Sequence, residues 1–286
     1  MTHTPDTHAR NDIDPAPVPT PAADASTPAR GSLRTRGVGK TVALPDSQLT
    51  ILDDIGLDIT AGERVAIVGE SGSGKTTLLS LLAGLDVPSH GEVWLDGVPI
   101  HAADEDARAA LRAQAVGFVF QNFQLMPAMS ALDNVALPLE LRGKSGTQAA
   151  RELLQKVGLG ERLHHLPRQL SGGEQQRVAI ARALAPGPRL LICDEAVSSL
   201  DVSVQAQILN LLRGLHADLG LALLFITHDL AVVRQMATRL YVMRHGRVVE
   251  HGDTDAVLFQ PTDPYTRALF SAVPGRTPTA MEEAER

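Results

Sequence analysis

The 286-residue chain has a single cysteine, Cys193. That excludes an intrachain disulfide framework and any four-cysteine metal or iron–sulfur site. Aromatic residues make up only 3%, too few for the stacking platforms that hold single-stranded nucleic acid. Basic residues are outnumbered: 26 Lys and Arg face 33 Asp and Glu, a net charge of -7. A general nucleic-acid binder needs a basic face, so no nucleic-acid partner is expected. No apolar run approaches the roughly 20 residues that span a bilayer. The first stretch also lacks the apolar core of a secretion signal. Residues 1–32 are rich in Pro, Ala, Thr and Asp, with Pro15, Pro17, Pro19 and Pro21 at every second position, the composition of a disordered extension. These absences together predict a cytoplasmic location.

What remains is 44% hydrophobic, enough for one large domain or a domain with a subdomain. Order is expected from about Leu33. The stretch 48–59 alternates in places like a half-buried strand. Residues 63–69, 116–120, 189–193 and 221–226 are short apolar runs of the buried parallel type. Asp96-Gly97 marks a hairpin within 91–100. Helical patterns cover 76–85, 104–112, 173–184 and 202–219, the last with Val204, Ile208, Leu211 and Leu215 on one stripe. A further helix starts at Leu230, and two short strands flank His245-Gly246. Residues from Thr254 onward read as helical, ending in the polar run Glu282 to Arg286. The segment from Asn122 to about Leu170 reads as mostly helical. Strands alternating with helices predict an α/β fold with a mainly parallel sheet, and there is no internal repeat.

Gly69-Glu70-Ser71-Gly72-Ser73-Gly74-Lys75-Thr76 matches the P-loop at every position, between a strand and a helix. Its glycines let backbone N–H groups curl around phosphate oxygens, and the helix that follows adds the positive end of its dipole. Lys75 is expected to reach the outer phosphates of ATP. Thr76 is expected to hold Mg²⁺, with Thr77 beside it in the nucleotide site. Leu190-Leu191-Ile192-Cys193-Asp194-Glu195 ends a buried strand in two carboxylates. Asp194 suits Mg²⁺ held through water, and Glu195 suits a base that orients the attacking water. Phosphoryl transfer needs mainly positioning and charge neutralisation, so these few groups suffice.

P-loops serve kinases, GTPases, helicases and recombinases alike. Leu170-Ser171-Gly172-Gly173-Glu174-Gln175-Gln176 narrows the choice, because it resembles the signature of ABC ATPases. The resemblance spans about 33–275. It implies a P-loop NTPase core, an N-terminal antiparallel β subdomain and an inserted helical subdomain at about 122–175, with a polar tail at 276–286. It implies that Ser171, Gly172 and Gly173 cap ATP held by a second ATPase subunit, a homodimer being expected, and that Asp201 in Ser199-Leu200-Asp201 contacts that partner. Gln121 resembles the glutamine that senses Mg²⁺, and His228 the histidine that meets the γ-phosphate. The implied catalytic set is thus Glu195, His228, Lys75 and Gln121. The implied metal set is Thr76, Gln121 and Asp194. The implied activity is ATP hydrolysis driving separate integral membrane permease subunits, with the chain peripheral on the inner face of the membrane.

Two positions depart from that family. No Phe, Tyr or Trp precedes Trp94, where ABC ATPases place an aromatic against adenine. The base is then expected on an aliphatic or Arg surface such as Arg36, Val38 or Val42, with GTP competing better than usual. Ala196 replaces a common proline, as in peptide-import ATPases. The stretches 69–85 and 116–143 resemble lipoprotein-release and macrolide-efflux ATPases, whereas 194–212, His228 to Val233 and Pro264 to Leu269 resemble dipeptide and oligopeptide importers. Phe123, Leu125 and Met126 suit either a groove for the membrane partner or core packing. The first half favours export or lipid-linked extraction, with peptide import the alternative. An ATPase regulating a membrane complex without moving solute, and a soluble ABC ATPase acting on nucleic acid or ribosomes, are the readings from other classes. Cys193 is expected in the core. His3, His8, His164 and His165 are not expected to bind metal.

Overall fold

The computed structural model describes residues 32–271; the extension at 1–31 and the tail beyond 271 lie outside the described residues. Two sheets organise the chain. The first is antiparallel, built from β1 (Leu33–Leu44), β2 (Ser47–Ile59), β4 (His90–Leu95) and β5 (Val98–Pro99), in the order β2-β1-β4-β5. The second contains β3 (Arg64–Val68), β6 (Val116–Phe120), β7 (Leu190–Asp194), β8 (Ala222–Ile226), β9 (Arg239–Arg244) and β10 (Arg247–Asp253). Its order is β10-β9-β3-β8-β7-β6, parallel throughout except for the β9–β10 hairpin.

Residues along the parallel strands divide between two faces, because successive side chains in a strand point opposite ways. Ala66, Val68, Leu191, Cys193, Leu223 and Phe225 enter one core with helices α5 (Gly172–Leu184), α6 (Val202–Leu219), α7 (Leu230–Met236), α8 (Thr254–Phe259) and α9 (Pro264–Ser271). Val65, Ile67, Leu190, Ile192, Leu224 and Ile226 enter the other core with the antiparallel sheet and α1 (Lys75–Leu82). Each Val, Leu, Ile or Phe among them contributes about 1.5–3 kcal/mol by leaving water. A third cluster joins α3 (Ala131–Glu140) and α4 (Thr147–Lys156) to Val178 and Ala181 of α5. α5 thereby belongs to both the helical cluster and the sheet core. The remaining helix, α2 (Glu105–Ala115), leads into β6.

Two expectations need correction, and one strand was not foreseen. Between Asn122 and Leu170 the α-helices cover only α3 and α4. Pro127, Gly143, Gly146, Gly158 and Pro167 break the rest into turns and short 3₁₀ pieces, since Pro removes a donor and Gly favours turns. The helical C-terminal stretch is likewise interrupted around Pro261, between α8 and α9. The sequence reading also left β1 unassigned; its register shifts between Thr35 and Thr41 erase the clean alternation that marks a strand.

Candidate functional site

β3 delivers the chain into the phosphate loop, and two glycines set its path. A Cβ on Gly69 (φ 156°) would sit 2.4 Å from the Met243 carbonyl oxygen. Gly74, at φ 98°, caps α1 with no side-chain hydrogen bond, and a Cβ there would press on Leu52 and the Ile51 carbonyl. The first-turn amides of α1, which have no intrahelical acceptor, are therefore offered to an anion. Lys75 Nζ fills the loop, donating to Gly69 O at 2.7 Å, Glu70 O at 2.8 Å and Ser73 Oγ at 3.4 Å. From outside, the β9–β10 turn braces the loop: Gly246 N donates to Ser73 O at 3.0 Å, and Gly246 O accepts from Asp53 N at 2.9 Å.

A cleft of about 680 Å³ opens over this loop. Its walls bring Gly69, Ser71, Gly72, Gly74, Lys75, Thr76 and Thr77 together with Asp194, Glu195 and His228 from the ends of β7 and β8. Burial lowers the Lys75 pKa, opposed by the charges of Glu195 and Asp194. Burial also raises Asp194, with Glu195 adding to the effect and Lys75 opposing it. Two carboxylates and one ammonium thus face the cleft that Thr76 also lines, an excess of negative charge. This hard-oxygen set suits Mg²⁺, which commonly binds through one or two carboxylates and substrate phosphates.

Glu195 sits at φ 51°, a left-handed conformation that a non-glycine residue adopts at a cost of about 1–3 kcal/mol. Its backbone is pinned on both sides. Glu195 N donates to Ile226 O at 2.9 Å, and its carbonyl accepts from Ser198 Oγ at 2.8 Å. His228 Nδ1 lies 2.8 Å from Glu195 Oε1. The other carboxylate oxygen, Oε2, is buried with no hydrogen-bond partner among the described residues. A buried acceptor left bare costs about 1–3 kcal/mol, so this oxygen is placed to take a proton donor such as water.

Other expected site residues lie elsewhere. Glu70 and Ser73, though bonded to Lys75, line a small adjoining cavity with Arg244, His245 and Tyr265 that shares Ser71 and Gly72 with the cleft. Gln121, at the end of β6, is absent from the cleft wall; its carbonyl accepts from Ser199 Oγ at 3.2 Å. Ser171, Gly172, Gly173 and Asp201 do not line the cleft either. Ser171 is exposed and caps α5 through a reciprocal box with Glu174: Ser171 N donates to the Glu174 carboxylate at 2.8 Å and Glu174 N to Ser171 Oγ at 3.3 Å. A Cβ on Gly173 would meet Val204 Cγ1 at 2.5 Å, so α5 packs tightly on α6. Asp201 caps α6, accepting from Val204 N at 3.1 Å.

The expected base surface is also corrected. Val38 is fully buried, and Arg36 lies 5.2 Å over the Trp94 ring. The aliphatic residues on the cleft wall are Leu49 and Ile51 of β2 and Ile226 of β8, with Val42 paired to Leu49 across the ladder. The signal for Leu49 and Ile51 was the alternation along β2. Arg182 escaped notice as well. From α5 it donates to Gln124 O at 2.6 Å and Phe123 O at 2.9 Å, holding two successive left-handed residues (φ 50° and 55°). Nothing in a helix pattern announces such a bond. Cys193 is buried as expected, and desolvation pushes its thiol far above the ordinary range.

A parallel sheet with a lysine-filled glycine loop on one strand end and two carboxylates on a nearby one defines a nucleotide-hydrolysing P-loop protein. The chain belongs to the ABC transporter family, whose profile matches residues 52–198. It is 49% identical over 215 residues to YbbA of Escherichia coli (strain K12), an uncharacterized ABC transporter ATP-binding protein, covering 74% of this chain and 92% of YbbA. It is 47% identical to the lipoprotein-releasing system ATP-binding protein LolD of Pseudomonas syringae pv. tomato, covering 76% and 97%. It is 45% identical to the methionine import ATP-binding protein MetN 1 of Rhodopseudomonas palustris, covering 80% and 62%. Among solved structures, the dimeric ATP-binding cassette MJ0796 in a post-hydrolysis state with ADP and Pi superposes with a TM-score of 0.71 at 37% identity, covering 78% and 98%. The chain is an ATP-binding, ATP-hydrolysing subunit of an ABC transporter. Among the described residues, no helix is long and apolar enough to cross a membrane.

Proposed function

We propose that two copies of this chain close head to tail on two ATP molecules. In each site Gly69 to Thr77, Asp194, Glu195 and His228 of one copy would face Ser171, Gly172, Gly173 and Asp201 of the other. One observation carries this reading: the signature cap is exposed on α5 and stands apart from the cleft that gathers its own subunit's phosphate and carboxylate groups. A second copy supplies what that cleft lacks. Lys75 exchanges its loop carbonyls for phosphate oxygens. Thr76 and Asp194 would hold Mg²⁺, which neutralises phosphate charge when bound, and Gln121, outside the cleft wall here, would join them on closure. Glu195, with Oε2 unclaimed and Oε1 tied to His228, orients the attacking water and takes its proton. Closure favoured by ATP would switch the permeases, because a ligand shifts an equilibrium by its differential affinity for the two states. The dimer would sit on the inner face of the membrane.

Glu195→Gln tests the scheme. General-base help contributes about 10²–10⁴-fold, so phosphate release should fall by at least about 100-fold. ATP should hold the variant as a dimer on size-exclusion chromatography. A variant that binds ATP and elutes as a monomer would refute the two-copy site.

For cargo, the residues around β6 and the high coverage of LolD support export or lipid-linked extraction. Import is the second reading, favoured by Pro264 to Leu269 and the match to MetN 1. Reconstitution with a membrane permease that co-purifies with this chain, following cargo on both sides of the bilayer, separates the two.

A further inference from the structure

The helix α9 reaches across the molecule to the phosphate loop. Tyr265 is 8% exposed, and its hydroxyl accepts from Glu70 N at 3.3 Å. The amide of Glu70 and the carbonyl of Gly69 belong to one peptide unit. Lys75 Nζ holds the carbonyl side of that unit at 2.7 Å, and Tyr265 holds its amide side. Lys75 must release its grip when phosphates arrive, whereas the Tyr265 bond lies on the far face and can persist.

The tyrosine is itself firmly set. Arg244 lies 4.7 Å over its ring. Glu250 of β10 accepts from Thr262 N at 2.7 Å and Asp263 N at 3.2 Å, fixing the turn before α9. Asp263 Oδ1 then caps the helix, accepting from Tyr265 N at 2.8 Å, and Phe270 anchors its far end in the sheet core at 2% exposure. A loop whose first peptide is already oriented loses less freedom on binding phosphate, and preorganisation of that kind appears as affinity.

We infer that Tyr265 is a positioning residue for ATP, presetting the Gly69–Glu70 peptide of the phosphate loop from the C-terminal helix. This rests on the loop being the ATP site proposed above.

Tyr265→Phe in the full chain removes the hydroxyl and keeps the ring under Arg244. A single neutral hydrogen bond is worth about 0.5–1.5 kcal/mol, so KM for ATP should rise about 2- to 12-fold, converted at 1.4 kcal/mol per tenfold. kcat should stay within about twofold, the pattern of lost uniform binding. Hydrogen exchange at the Glu70 amide should accelerate. Unchanged KM, or a fall in kcat at constant KM such as partial unfolding gives, would overturn the inference. If wild-type chain failed to bind ATP, the site assignment would fall instead, and the two failures are thereby distinct.

Discussion

Two helices in this chain open on glycine-rich loops, and their N-termini are finished differently. α1 begins at Gly74 with no side-chain cap, so its first amides await an external acceptor. α5 begins at Ser171 with a complete capping box that places the Glu174 carboxylate in its first turn. The hydrogen bond from Ser171 N is the largest influence lowering the Glu174 pKa. α1 is thus built to need phosphate in its own subunit. α5 is stable alone, and its exposed cap is free to meet a ligand carried by another copy. On the proposed two-copy scheme, one cassette would thus offer its own ATP a primary anion site and its partner's ATP a self-sufficient lid.

The strongest attempt to break that contrast is Lys75→Ala. Charge-assisted hydrogen bonds are worth about 1.5–3 kcal/mol each, and losing several to phosphate should weaken ATP binding by more than about 100-fold in equilibrium dialysis. If binding survived, α1 would not be the primary site. Ser171→Ala is the matching change on α5. Loss of an N-cap costs about 1 kcal/mol, so the melting temperature should fall slightly. ATP binding to a single copy should hold while hydrolysis drops roughly tenfold, as 1.4 kcal/mol per tenfold would give for one lost transition-state contact. A loss of monomer binding instead would place the cap in its own subunit. The smallest effect is expected at the base end of the cleft. Val42→Tyr offers adenine an aromatic face beside Leu49, and base–aromatic stacking is worth about 1–3 kcal/mol. Equilibrium binding assays should show ATP affinity rising at least about fivefold. A large preference for ATP over GTP already present in the wild type would refute the aliphatic base shelf.

Local pattern was enough to read the phosphate loop, the β7 carboxylates and most helices. Each of these depends on neighbours a few residues away: Gly74 before Lys75, four apolar residues before Asp194, Ser171 three before Glu174. What escaped were contacts that join distant segments. Arg182 grips carbonyls at 123 and 124 from 58 residues away, and Tyr265 reaches Glu70 across 195. Neither leaves a periodicity. The burial of Val38 escaped for the same cause: telling which of Arg36, Val38 and Val42 stand near the cleft requires the register of β1 against β2, which the bulges near Val38 shift.

By itself, the sequence determined the chemistry available to this protein: a phosphate-cradling loop, a carboxylate pair and a second glycine-opened cap. Residue types and short spacings encode donors, acceptors and helix starts directly. Only the tertiary structure decided which groups share a cleft and which stay on the surface. That division depends on strand order, with β8 between β3 and β7, and on burial, which shifts Lys75 and Asp194 toward their neutral forms. Both arise from packing between segments far apart along the chain.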